Sequence, residues 1–115
     1  MTKIIPWLTY SFSFVEGYTD TDPYSDYWVV YVHYCSSDLW SGTNTASTAT
    51  GGYNFLGSKI VESVIQDLTD NHNLLTATKV VLSGCSAGAA GVSFNCDDVA
   101  AKLPNADFRC VAGQT

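Results

Sequence analysis

The residues best suited to chemistry in this sequence are Gly84-Cys85-Ser86-Ala87-Gly88, which directly follow a strand-like run at 79–82. The pattern G-x-S-x-G between a strand and a helix is typical of a sharp turn that raises a serine hydroxyl above the edge of a sheet. We therefore predict that Ser86 is a nucleophile and that the backbone N–H of Ala87 donates to the oxyanion formed during attack on a carbonyl. The alternative is a turn that uses small residues only for packing.

A serine nucleophile needs a base to accept its proton, and the histidines of this chain are poorly placed for that role. In serine hydrolases of this class the acid and the histidine follow the serine, but no histidine follows Ser86. His72 precedes the predicted strand and should lie at its far end, whereas His33 ends another strand and is a candidate substitute base. We expect Asp97 and Asp98 to face solvent, and we expect no ester hydrolysis by this chain alone.

Composition narrows the class of protein. The chain has 115 residues, of which 46% are hydrophobic and 14% charged, and a net charge of −6. These values predict one globular domain, and the low charge with many aromatic residues suits a secreted protein. Without a cluster of Lys or Arg we expect neither nucleic acid nor an anionic membrane as a partner.

The sequence contains no apolar run long enough for a membrane span. Residues 1–8 contain one lysine and a short apolar stretch broken by proline, which is too weak a pattern for a signal peptide. Secretion information would then lie upstream, or the protein is not secreted.

Four cysteines, Cys35, Cys85, Cys96 and Cys110, lack the C-x-x-C spacing of a zinc or redox site. Disulfides are the better prediction, with three pairings if all four join, and ordinary buried thiols are the alternative. We predict that Cys96 and Cys110 lie close enough to bridge, because they belong to consecutive elements that should pack face to face. We expect neither a metal site nor a cofactor. Cys85 is an alternative nucleophile, but the turn presents Ser86.

The hydrophobic pattern predicts an α/β fold. Continuous or alternating apolar runs indicate strands at 10–14, 28–34, 78–83 and 108–111, and the run at 28–34 reads as a central parallel strand. Helical spacing of apolar residues indicates helices from 55 to about 70 and from 87 to 103. The predicted inner positions are Ile60, Val61, Val64, Ile65 and Leu68 in the first helix and Val92, Cys96, Val99 and Leu103 in the second. Loops are expected at 17–26 and 36–54. The order β-α-β-α-β from residue 28 onward implies right-handed crossovers and a parallel sheet.

Four collinear segments together resemble the pectin acetylesterase / Notum family of carboxylesterases, over about residues 22–112. The first segment is YCSSDLWSG at 34–42, and the second is the predicted helix at 55–68, which begins with F-L-G and ends with D-L. The third is VLSGCSAG at 81–88, and the fourth is 95–110, which contains N-C-D, L-P and R-C. The resemblance implies an α/β-hydrolase-like parallel sheet with flanking helices, present only in part, and Ser86 and Ala87 in the roles given above.

The same resemblance implies a substrate and a location. The substrate would be an acylated polysaccharide or an acylated protein, no cofactor would be needed, and the protein would be extracellular and a monomer. Asp38 and Trp40 follow a strand at the catalytic edge of the sheet, so they are predicted to line the acyl or sugar pocket. The alternative is that a buried Trp40 anchors the loop.

The chain also departs from the family pattern. Ala89 stands where the family has a glycine, and both the upstream GGGWC segment and the downstream D-x-G motif are absent. We therefore expect the nucleophile-bearing segment of an esterase, catalytically incomplete as a fragment or a degenerate copy. The alternatives are a non-catalytic, disulfide-stapled extracellular binding module, and a thioesterase or lipase with a similar turn.

Overall fold

A computed structural model describes residues 2–9 and 27–113, with residues 2–9 described by their backbone alone. The predicted strand at 10–14 and loop at 17–26 lie outside the described residues. The elements in chain order are β1 (Thr2–Thr9), β2 (Trp28–His33), α1 (Gly57–Asn71), a 3₁₀ turn (Leu74–Thr76), β3 (Ala77–Cys85), α2 (Ala87–Lys102) and β4 (Asp107–Gly113). Both predicted helices are confirmed.

The four strands form one parallel sheet in the order β2-β1-β3-β4. The parallel sheet with flanking helices is therefore confirmed. Thr9 pairs with His33 on one side and with Cys85 on the other, so the carboxyl ends of β2 and β3 meet at the same edge. This edge is where ligands bind in open α/β sheets.

The position of β2 corrects the sequence-based prediction. The run at 28–34 was expected to be a central strand, but β2 lies at one edge of the described sheet, and β1 separates it from β3. A continuous apolar run indicates that both faces of a strand are buried, but it does not determine which strands pair with that strand in the sheet. No strand was predicted at 2–9, where Pro6 removes an N–H that a strand with two neighbours would use.

Both helices contribute to one core with the same face of the sheet. The buried strand residues of this core are Val32 of β2 and Ala77, Val80 and Leu82 of β3. Six of the predicted inner positions are buried against them, namely Val61, Ile65 and Leu68 of α1 and Val92, Val99 and Leu103 at α2. The other three, Ile60, Val64 and Cys96, are only partly buried. The crossovers β2-α1-β3 and β3-α2-β4 run in the same direction across the sheet, and right-handed connections then place both helices on one face.

A disulfide joins α2 to β4. Cys96 and Cys110 are bonded with their Cα atoms 6.2 Å apart, which confirms the predicted pair. Cys35 and Cys85 are exposed and lie outside any disulfide. Among the described residues, neither helix has the length and apolar character needed to cross a bilayer.

Candidate active site

Ser86 occupies a sharp turn between β3 and α2, as its sequence context predicts. β3 ends at Cys85 and α2 begins at Ala87, so a single residue makes the turn. The backbone of Ser86 has φ 56° and ψ −120°, a conformation that side-chain-bearing residues rarely adopt. Such backbone strain amounts to about 1–3 kcal/mol and persists only where the neighbouring structure holds it in place.

The N-terminus of α2 presents backbone donors beside this serine. The carbonyl of Ser86 accepts hydrogen bonds from the amides of Ala89 at 3.0 Å and Ala90 at 3.3 Å, which closes the first turn. The first amides of a helix have no acceptor within it, and they carry the positive end of the helix dipole. Ala87 is the first residue of α2, so its N–H has no acceptor within the helix. That amide is therefore placed to donate to an oxyanion formed at Ser86.

The two histidines do not approach this turn. His33 is exposed, and its backbone lies two strands from Cys85, or about 10 Å at the usual strand spacing. His72 ends α1 and is exposed near Asp67, ahead of the nine-residue strand β3, which is about 30 Å long. Proton transfer requires hydrogen-bond reach, so the described residues give Ser86 no histidine base. Asp97 and Asp98 are exposed, as predicted.

The carboxylate of Asp38 organises the loop that follows β2. Its Oδ1 accepts from the hydroxyl of Ser36 and the amide of Trp40, and its Oδ2 accepts from the amides of Gly42 at 3.0 Å and Gly57 at 2.8 Å. Partial burial raises the pKa of Asp38, but these four hydrogen bonds outweigh it and hold the pKa below its ordinary value. A Cβ at position 42 or 57 would overlap the carboxylate, so both Gly42 and Gly57 need to lack a side chain.

Trp40 lies wholly inside the protein, with 0% of its surface exposed. Its indole ring lies against the backbone of α2 at Gly91, where a Cβ would overlap Cδ1 of the ring. The Nδ2 of buried Asn95 donates to the carbonyl of Trp40 at 2.9 Å and to that of Gly91 at 2.8 Å. These contacts favour loop anchoring for Asp38 and Trp40, and pocket lining by them stays a prediction. Sequence reasoning missed Asn95, although it lies three residues from Val92 and four from Val99 on the predicted inner face.

Two clefts of the described chain, of 570 and 680 Å³, lie between β2 and α1, and no residue of the turn at Ser86 lines either of them. The described chain also contains no group of three acidic, histidine or cysteine side chains able to hold a metal ion. What the described residues bring together is a strained serine, a helix N-terminus and a tightly held neighbouring loop.

Comparisons with known proteins agree on one family. A sequence model described as pectinacetylesterase matches residues 14–114. The chain is 46% identical to palmitoleoyl-protein carboxylesterase notum2 of Xenopus laevis, over 71% of this chain and 16% of that protein. It is 36% identical to the human palmitoleoyl-protein carboxylesterase NOTUM, over 74% of this chain and 18% of that protein. It is 34% identical to pectin acetylesterase 11 of Arabidopsis thaliana, over 70% and 21%. The chain thus spans about a fifth or less of these relatives.

Proposed function

Because this chain belongs to the pectinacetylesterase family, we propose that it carries the nucleophile of a serine carboxylic ester hydrolase within a single, partial α/β-hydrolase-like domain. The observation that carries this proposal is the strained backbone of Ser86, φ 56° and ψ −120°, between a parallel strand and a helix. A turn that served packing alone would have no need to keep a side chain in such a conformation, because glycine adopts it without strain.

The proposed reaction forms and then breaks an acyl-enzyme. The Oγ of Ser86 attacks the carbonyl carbon of an ester as its proton passes to a base, and the oxyanion accepts a hydrogen bond from the N–H of Ala87. Collapse of this intermediate breaks the bond to the alcohol oxygen, which leaves with a proton. Water then attacks the acyl-serine by the same route in reverse, releasing the carboxylic acid and restoring Ser86.

The base in this scheme is not among the described residues near Ser86. Our proposal is therefore that the 115-residue chain by itself does not turn over esters. The relatives are several times longer, and in the usual chain order the acid and histidine follow the serine.

The substrate proposal follows the relatives' names. One group is named for a palmitoleoyl-protein and the other for pectin, so we propose an ester on an acylated protein or an acylated polysaccharide. We propose an extracellular location, supported by the disulfide between Cys96 and Cys110, because such bonds persist in oxidising compartments. The protein is proposed to act as a monomer without a cofactor.

A second candidate is a non-catalytic, disulfide-stapled extracellular binding module. The observation that favours this candidate is the disulfide between Cys96 and Cys110, which joins α2 to β4. It shares the fold of the esterase proposal but assigns no chemistry to the serine.

Chemical rescue separates the two candidates. The chain is incubated with p-nitrophenyl acetate, with and without added imidazole as an external base, and acetylation of the peptide containing Ser86 is measured by mass spectrometry. The esterase proposal expects no turnover without imidazole and acetylation of Ser86 with it. The Ser86→Ala variant should lose this label, whereas Ser93→Ala, at an exposed serine of α2, should keep it. Equal labelling of wild type and Ser86→Ala would overturn the esterase proposal. Unassisted turnover that required both Ser86 and His33 would replace the missing-base scheme.

A further inference from the structure

We propose that Trp40 and Asn95 are positioning residues for the nucleophile turn, acting through α2. This inference rests on the proposed role of Ser86. Together with Gly91 they form what we call the α2 anchor, in which the loop after β2 holds the helix that begins immediately after the serine.

The need for such an anchor follows from the strain at Ser86. The residue would relax toward an ordinary conformation if either of its neighbouring elements could shift. On the amino side β3 is held by hydrogen-bonded ladders to β1 and β4. On the carboxyl side the packing of α2 and its disulfide to β4 resist the relaxation. The anchor therefore bears directly on whether the strained turn survives.

The anchor contacts α2 close to the turn. Gly91 is five residues beyond Ser86, or about 7.5 Å along the helix axis, so a rotation of the helix there would redirect the N–H of Ala87. The contact is direct, because Gly91 has no side chain to separate the indole ring of Trp40 from the helix backbone. The double hydrogen bond from Asn95 then links the carbonyls of the loop and of the helix through one nitrogen.

The loop side of the anchor is itself held firmly. Ser37, Leu39 and Trp40 have positive φ values of 54°, 55° and 63°, which place Trp40 inward in a conformation unfavourable for side-chain-bearing residues. The four hydrogen bonds to Asp38 hold this conformation. The indole Nε1 of Trp40 finds no acceptor among the described residues, so the ring contributes here through its shape.

Hydrogen exchange of the folded chain tests the proposal. The amides of Ala89 and Ala90 both donate to the carbonyl of Ser86, so their exchange reports on closure of the turn. In Asn95→Asp, which keeps the shape of the side chain but loses the donor, we expect these two amides to exchange about tenfold faster relative to the amides of β3. The matched control is Asp97→Asn, the reverse change at an exposed position of the same helix, and it should leave the ratio unchanged.

An unchanged ratio in a folded Asn95→Asp would overturn the inference. A purely structural role would give this result, because it would accelerate exchange equally at every amide. If Asn95→Asp does not fold, Trp40→Phe replaces it, and the same rise in the exchange ratio is expected. The smaller phenylalanine ring makes less contact with Gly91, and it lacks the N–H that has no acceptor. Exchange needs no turnover, so an unreactive Ser86 would overturn the esterase proposal without changing the exchange ratio expected here.

Discussion

Replacing Cys96 and Cys110 together by alanine should lower the free energy of unfolding by about 3 kcal/mol. The two cysteines are 14 residues apart in sequence, so their bond closes a short loop made of the second half of α2 and the start of β4. Closing a loop of about 15 residues removes conformational entropy from the unfolded chain, and this entropy is the source of the expected stabilisation.

Packing adds a smaller contribution. Both cysteines are half-buried, and Cys110 packs against the core, so loss of the sulfur atoms leaves a small void costing up to about 1 kcal/mol. With a urea dependence of roughly 1–3 kcal/mol per molar, a loss of about 3 kcal/mol corresponds to a midpoint lower by roughly 1–3 M urea. Such a loss is a large fraction of the total stability of a small domain.

The assay is urea unfolding followed by fluorescence of the tryptophans, which include buried Trp40. The control is Cys35→Ala, at an exposed cysteine outside any disulfide, which should leave the midpoint unchanged. Wild-type protein in reductant should unfold like the double variant. A loss below about 1 kcal/mol, or a wild-type midpoint insensitive to reductant, would refute this account of the disulfide.

Three further substitutions test the site. Asp38→Asn should lower stability at neutral pH by about 2 kcal/mol in urea unfolding, because an amide nitrogen cannot accept the N–H bonds of the carboxylate. Since the pKa of Asp38 is lowered in the folded state, this difference should be fully present above about pH 4 and disappear as the pH falls through the folded pKa. A difference that persisted in acid would contradict it. Ser86→Gly should raise the free energy of unfolding by about 1 kcal/mol, because glycine adopts the positive φ of this position without strain. Ser86→Ala should bring no such gain, and equal stability of the two variants would show that the turn is unstrained. Gly91→Ala should lower thermal or urea stability by about 1–3 kcal/mol, because its Cβ would overlap the ring of Trp40. Gly113→Ala, where the nearest atom to a Cβ is 3.4 Å away, is the control, and an equal effect of the two changes would contradict the packing described.

The parts of this protein that the sequence predicted correctly depend on neighbours in the chain. The spacing of Val61, Ile65 and Leu68 identified the buried face of α1, because helical periodicity is a local property. The glycines around Ser86 identified the turn for the same reason. The disulfide between α2 and β4 was also predictable, because consecutive α and β elements pack against each other.

The order of the strands and the inward direction of the Asp38 loop came only from the tertiary structure. Hydrophobic patterning placed Asp38 and Trp40 at the correct edge of the sheet, since both follow a strand. It could not show that Asp38 meets Gly57, 19 residues away, or that Trp40 meets Asn95, 55 residues away. Likewise, β1 separates β2 from β3 through pairings between distant segments. Propensity and periodicity report each residue's immediate surroundings along the chain, whereas these contacts depend on which distant surfaces fit together.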